Sequence, residues 1–346
     1  MADPAIYLDH AATTPLLPAA AAAMAQGFAA WANPSSPHRA GRAARAALEA
    51  ARAQIAEALN WSGEVILTSG ASEALALAMS RAHAPLVAVS AVEHEAVLRH
   101  AAGAVRLAVD QHGQVQPGDP ANVRGLVAIQ HVNNETGVIQ PLDTLRQSVR
   151  AAGGVLLADC AQSAGKLALP DADLIAISAH KFGGPIGSGA LLVRDWALLR
   201  PTGGQERGYR GGTENLPGAM AMAAALAAGS GWLTAAAALR ARLEAGIIAA
   251  GGEVVAAPAP RIASIGAYRL PGLSAQAQLI RLDAQGIAVS AGSACSSGSL
   301  RTSHVLTAMG VDGAGEVIRV SIGRETTAAE IDALLAAWRA LAAGRR

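Results

Sequence analysis

Only two side chains in this 346-residue sequence carry a primary amine, because of its 27 basic residues all but Lys166 and Lys181 are arginine. Apart from the amino terminus, any chemistry that needs such an amine must use one of them. Lys181 closes the run Ser178-Ala179-His180-Lys181, just ahead of a glycine-rich stretch at 183–189. A carboxylate opens the earlier run Asp159-Cys160-Ala161-Gln162, and each run follows a short apolar segment. A lysine for an imine linkage and an acid opposite a pyridine nitrogen are the two groups that pyridoxal 5'-phosphate (PLP) needs. The acid keeps the ring nitrogen protonated, which makes the ring an electron sink. Ser178 and His180 stand where they could donate to the cofactor phosphate. Taken singly, Lys181 reads equally well as a solvated lysine and Asp159 as a helix cap; the two in this joint context favour chemistry.

Two further segments carry reactive types. Thr68-Ser69-Gly70-Ala71-Ser72-Glu73 joins an apolar run to a helical pattern. Small residues there let backbone N–H groups approach a phosphate, and the helix amino end adds positive partial charge. The same residues also make an ordinary helix start. Cys295 lies among Ser, Gly and Ala over 290–299, a composition that predicts an exposed or pliant loop, whereas Cys160 at a strand end predicts burial. Thiolate character and access decide which thiol reacts, and both favour Cys295.

These groups need a scaffold. Nearly continuous apolar runs predict strands at 64–68, 86–90, 105–108, 125–130, 155–159, 174–178 and 190–193, and amphipathic helices over 39–59, 72–81 and 141–152 lie between them. Such alternation predicts an α/β fold around a mostly parallel sheet covered on both faces. Ligands then gather beyond the carboxyl ends of the strands. After Gly251 the pattern changes to a strand at 261–269, a helix at 275–285, a strand at 317–322 and a closing helix at 327–343, a smaller α+β unit. The expected division is a large domain over 14–250 and a small domain made of 1–13 and 251–346, the latter carrying the Cys295 loop.

Bulk properties exclude other classes. A net charge of +1 and 3% aromatic residues give no field or stacking platform for nucleic acid. The start Met-Ala-Asp-Pro has an early acid and no basic flank, unlike a secretory signal. An Ala-rich, uncharged stretch between Glu214 and Arg240 is broken by Pro217 and Gly229-Ser230-Gly231, which predicts a buried helix and no membrane span. Two cysteines make no disulfide framework, so the expected compartment is cytoplasmic. No metal site is expected.

The motifs resemble those of the cysteine desulfurases, class-V aminotransferase-like enzymes of PLP fold type I, in the branch serving nitrogen fixation and iron–sulfur cluster assembly. They run in order over nearly the whole chain: Tyr7–Pro15, Asn33-Pro34-Ser35-Ser36-Pro37-His38, Thr68–Glu73, Glu93-His94, Asn133-Asn134-Glu135-Thr136-Gly137, Asp159–Gln162, Ser178–Lys181, Arg210–Asn215, Ser293-Ala294-Cys295-Ser296-Ser297 and Arg319–Arg324. The resemblance implies a seven-stranded, mostly parallel sheet in the large domain. It implies that His94 stacks on the cofactor ring and shuttles protons, that Asn134 and Gln162 contact the cofactor, and that Ser72, Ser178 and His180 hold its phosphate with the backbone of Gly70 and Ala71. Thr213 would reach the phosphate of a second subunit, making a homodimer part of the site. Arg319 would grip the carboxylate of L-cysteine with help from Asn33, and Cys295 would take the sulfur as a persulfide for a protein acceptor such as an iron–sulfur scaffold. Competing readings are a selenocysteine lyase or cysteine sulfinate desulfinase of the same fold, an aminotransferase without use for a cysteine loop, or a silent partner in a sulfur-transfer complex. His10 stands where many of the family carry Asn.

Overall fold

The computed structural model describes residues 6–116, 124–292 and 302–344. The chain opens with β1 (Ile6–Tyr7), α1 (Pro18–Ala29) and α2 (Arg39–Ala58). It alternates through β2 (Glu64–Thr68), α3 (Ala71–Arg81), β3 (Leu86–Ser90), α4 (Glu95–Leu98), β4 (Val105–Leu107), β5 (Leu126–Gln130), α5 (Leu142–Ala151), β6 (Val155–Asp159), β7 (Leu174–Ser178) and β8 (Gly189–Val193). Two helices follow, α6 (Leu216–Ala227) and α7 (Leu233–Ala249). The last third holds β9 (Glu253–Val254), β10 (Ile265–Arg269), α8 (Ala275–Asp283), β11 (Ile287–Ala288), α9 (His304–Ala308), β12 (Val317–Ser321) and α10 (Ala328–Ala343).

Seven strands form one sheet in the order β2-β8-β7-β6-β5-β3-β4. The pairs from β4 to β7 are parallel, while β8 runs antiparallel to both β7 and β2. Every residue of β5, β7 and β8 is buried, which is why these strands read as unbroken apolar runs instead of alternating ones. Alternate side chains serve two cores. One face of the sheet packs Val127, Ile129, Ala158, Ile175 and Ile177 against α2, α5 and α6; the other packs Leu126, Ala128, Leu157 and Ala176 against α3 and α4.

The Ala-rich stretch supplies α6 and the start of α7. Among the residues of α6 only a minority reach solvent, and α1 and α2 pack against it. Small side chains make this possible: a Cβ on Gly27 of α1 would stand 2.5 Å from the Pro217 Cα, so the two helices meet almost backbone to backbone. No helix among the described residues is long and apolar enough to cross a membrane.

The second core lies under a three-stranded sheet, β12-β10-β9, and gathers Leu8, Leu243, Tyr268, Leu282, Ile318 and Trp338 from β10, β12, α7, α8, α10 and the first segment. β1 pairs in parallel with β11, Ile6 beside Ile287, so the two ends of the chain fold together. From there residues 9–14 run across to the carboxyl ends of β6 and β7. That crossing is what positions the site.

Candidate active site

Asp159 is the last residue of β6 and Ser178 the last of β7, neighbouring parallel strands. After Ser178 the chain makes one 3-10 turn, Ala179–Lys181, which brings Lys181 back over the strand ends. The Lys181 Nζ donates to the carbonyls of Ala11 and Ala12, both at 2.7 Å. Gln162 Nε2 donates to the same Ala11 carbonyl at 2.8 Å, while its buried Oε1 has no hydrogen-bond partner among the described residues. Asp159 is buried, and its Oδ1 accepts from the Ala161 N–H at 2.9 Å.

His94 caps α4: its Nδ1 accepts the Ala96 N–H at 3.1 Å, which leaves the proton on Nε2. Burial pushes the imidazole below its ordinary range, against the pull of the Asp159 charge. Burial likewise pushes the Asp159 carboxyl up, opposed by the Ala161 N–H and by the charges of His94 and Lys181. An acid, a neutral imidazole and an amine therefore stand close enough to feel one another in a dry crevice. A cationic ring nitrogen beside Asp159 would further favour its charged form.

The turn into α3 lies beside the end of β7. Gly70, Ala71 and Ser72 form the entry to α3, and a Cβ on Gly70 would lie 3.5 Å from the Ser178 Oγ. A Cβ on Gly189 would stand only 2.6 Å from the Gly70 Cα, so this turn can approach β8 only because residue 189 has no side chain. Ser178 is buried and Ser72 exposed. The His180 Nδ1 lies 3.1 Å from the Thr13 Oγ1, and burial with the nearby lysines lowers its pKa to about 4, so the ring is neutral. Glu73 ties the turn to the 206–215 segment: its carboxylate takes the Arg210 Nε at 2.7 Å and the Ser69 N–H at 2.5 Å. Burial alone would raise the Glu73 pKa; those donors outweigh it and hold it low.

Arg319 projects from β12, buried, with one terminal nitrogen donating to the Asp9 carboxylate at 2.8 Å and the other to the Asn134 carbonyl at 3.0 Å. Its Nε has no partner among the described residues. The Arg319 guanidinium thus meets the backbone of Asn134. Asn33 is exposed and its side chain accepts the Ser35 N–H at 2.8 Å. Thr213 is exposed, on the segment that Arg210 ties to Glu73. Cys160 is fully buried in the sheet core, and desolvation pushes its thiol far above the ordinary range. Cys295 lies outside the described residues. Both flanks of its segment are anchored at the site: Ser290 pairs with Arg319 through both backbone bonds, at 3.1 and 2.7 Å, and Ser303 donates to Glu135 at 2.5 Å.

Sequence reasoning assigned no role to several residues that shape this crevice. Asp9 fixes Arg319. Glu93, wholly buried beside His94, accepts from the Ser90 hydroxyl and the Gln130 N–H at 2.6 and 2.7 Å. His304 Nε2 meets the Glu93 carbonyl at 2.9 Å, and Ser303 caps α9. Asp9 and Glu93 stood inside quoted motifs, which was the available signal; nothing local marked Ser303.

The class-V aminotransferase family model matches residues 6–334. A cysteine desulfurase of Rhodobacter capsulatus is 37% identical, with 97% of this chain and 96% of that protein covered. Among solved structures, a NifS-like protein from Rickettsia africae superposes with a TM-score of 0.89 at 29% identity, over 97% of this chain and 99% of the other. A structure described as SspA in complex with cysteine superposes with a TM-score of 0.79 at 26% identity, over 93% of this chain and all of the other (100%). The chain belongs to the class-V aminotransferase family, on its cysteine desulfurase branch.

Proposed function

We propose that this chain is a PLP-dependent cysteine desulfurase that removes sulfur from L-cysteine, releases L-alanine and carries the sulfur as a persulfide on Cys295. The observation that carries the reading is the pairing of Asp159 and Lys181 at the carboxyl ends of adjoining parallel strands, with His94 between them in charge and Arg319 across the crevice. The residues fit the cofactor: the orphaned Gln162 Oε1 offers an unused polar atom, burial holds the Asp159 carboxyl up, and the turn at Gly70 is kept open by Gly189. Lys181 would hold PLP, Asp159 its ring nitrogen and His94 its face, with Asn134 and Gln162 at its edge. Gly70, Ala71, Ser72, Ser178 and His180 would hold its phosphate, joined by Thr213 of a second subunit. When bound, PLP supplies an electron sink for charge developing at the substrate Cα.

The remaining work falls to the chain. Arg319 receives the substrate carboxylate through a planar donor pair, exchanging Asp9 for the ligand, and Asn33 adds a donor at the rim. The Lys181 Nζ takes the Cα proton and returns a proton as the product forms. The Cys295 thiolate attacks the substrate sulfur; the new S–S bond forms as the S–Cβ bond breaks, its electrons stay with the substrate carbon, and protonation there gives alanine. A protein acceptor such as an iron–sulfur scaffold then takes the outer sulfur. The test is incubation with L-cysteine under argon, followed by intact mass and an alanine assay. The expected result is a sulfur-sized mass gain on the Cys295 peptide with alanine released, both lost in Cys295→Ala. Alanine formed at full rate by Cys295→Ala would overturn the reading in favour of a lyase.

A further inference from the structure

The second lysine is not explained by the reaction. Lys166 follows Gln162 by one turn, and the residue is largely buried, with no ion pair to a carboxylate among the described residues. It lines a narrow cavity of about 20 Å³ behind Lys181, walled by His10, Ser264, Trp232 and Arg324. The phosphate cradle lies elsewhere, since neither Ser72, Ser178 nor His180 borders this space.

The chemistry of the walls is one-sided. Every formally charged side chain lining the cavity is cationic, Lys166, Lys181 and Arg324, and no Asp or Glu lines it. The Ser264 hydroxyl is buried without a partner among the described residues. His10 is held in place by Gly323, since a Cβ there would overlap the imidazole. Glu330, whose charge reaches His10, is engaged by the Thr327 cap and does not line the cavity. Burial, and then the charge on Lys181, lowers the Lys166 pKa to about 7 when nothing balances it. A buried ammonium keeps its proton only beside a counter-charge.

We propose that this cavity is a binding site for a small monovalent inorganic anion of halide size, held by the Lys166 ammonium and the Ser264 hydroxyl. The space suits that class. About one water-sized sphere needs ~10–15 Å³ by the same measure, so a monatomic ion fits while an amino acid or a phosphorylated cofactor does not. The Arg324 guanidinium, which bonds the Gly229 carbonyl at 2.6 Å and lies 6.0 Å from the Trp232 ring, forms the mouth and draws anions inward.

Two measurements on the full chain as isolated test this. Crystals soaked in sodium bromide should show an anomalous peak within hydrogen-bond distance of the Lys166 Nζ. Thermal melting in sodium chloride against sodium gluconate, at equal ionic strength, should show a saturable rise of about 2 °C for the wild type at chloride well above its dissociation constant. That rise should vanish in Lys166→Met and shrink in Ser264→Ala. No bromide peak beside Lys166, or chloride dependence identical in wild type and Lys166→Met, would overturn the proposal. Should Lys166→Met fail to fold, the bromide experiment on the wild type still decides.

Discussion

Glu93 shows how a residue beside a reactive group can shape it without touching substrate. The carboxyl is fully buried, and desolvation raises its pKa from 4.5 to about 8 despite the Ser90 and Gln130 donors. It is therefore protonated at neutral pH and adds no second negative charge beside Asp159. The folded state binds a proton here that the unfolded chain has already lost. The resulting stabilisation is complete below the unfolded value and disappears as pH rises through about 8. Glu93→Gln keeps the acceptor that Ser90 and Gln130 use and cannot ionise. Urea unfolding of the variant should match wild type near pH 5 and exceed it at pH 9; parallel curves across that span would show that Glu93 does not titrate in the folded protein. The types that do chemistry, Lys181, Asp159 and the motif around His94, were legible because few residues can do their work. Lys166 was legible only as a second amine, because its isolation from any carboxylate depends on segments far apart in sequence.

At the scale of elements, the sheet could be read from sequence while its supports could not. Strands buried on both faces leave unbroken apolar runs, so the seven were found at nearly their true bounds. The two-residue strands β1, β9 and β11 leave no such run, and α7 shows no clean apolar stripe because it touches the second core through only a few residues. The least legible support is the clamp on edge strand β2. Glu206 takes both terminal nitrogens of Arg52, at 2.7 and 3.0 Å, and the Leu67 N–H at 2.8 Å, while Arg52 also donates to the Val65 carbonyl. Both side chains are buried, and Glu49 meets only the Arg52 Nε, at 3.2 Å, so removing Glu206 leaves the two terminal nitrogens of Arg52 without a carboxylate among the described residues. Glu206→Ala should lower the unfolding free energy by about 3–5 kcal/mol, with Arg52→Met/Glu206→Leu costing clearly less because the orphaned charge is gone. The clamp also sets the 206–215 segment bearing Arg210 and Thr213. Glu206→Ala should therefore weaken cofactor retention on dialysis beyond what a core substitution of equal cost does; equal retention would confine the clamp to stability.

On the scale of the whole molecule, the surface looks unfinished. Trp31 is 81% exposed, Ile186 79% and Phe28 63%; Trp31 lies two residues before Asn33, and Ile186 sits in the loop after Lys181. The Leu17 N–H bonds the Gly183 carbonyl at 2.9 Å, which places exposed Leu16 close to that same loop. Isolated apolar residues on a surface need no account, but large ones grouped around a crevice mark an interface. Thr213, which is exposed, fits the same arrangement, in which it would reach the cradle of a second copy. Composition could not reveal this, since an apolar residue at an interface and one in a core look alike in a sequence; the structure separates them by leaving these uncovered. The chain should sediment at twice its monomer mass at micromolar concentration. Trp31→Glu combined with Ile186→Asp should shift it to monomer and remove the visible absorption of lysine-bound PLP, because the phosphate loses its second-subunit donor. A monomeric wild type that retains the cofactor, or a monomeric double variant with an unchanged spectrum, would show that each active site is complete within one chain.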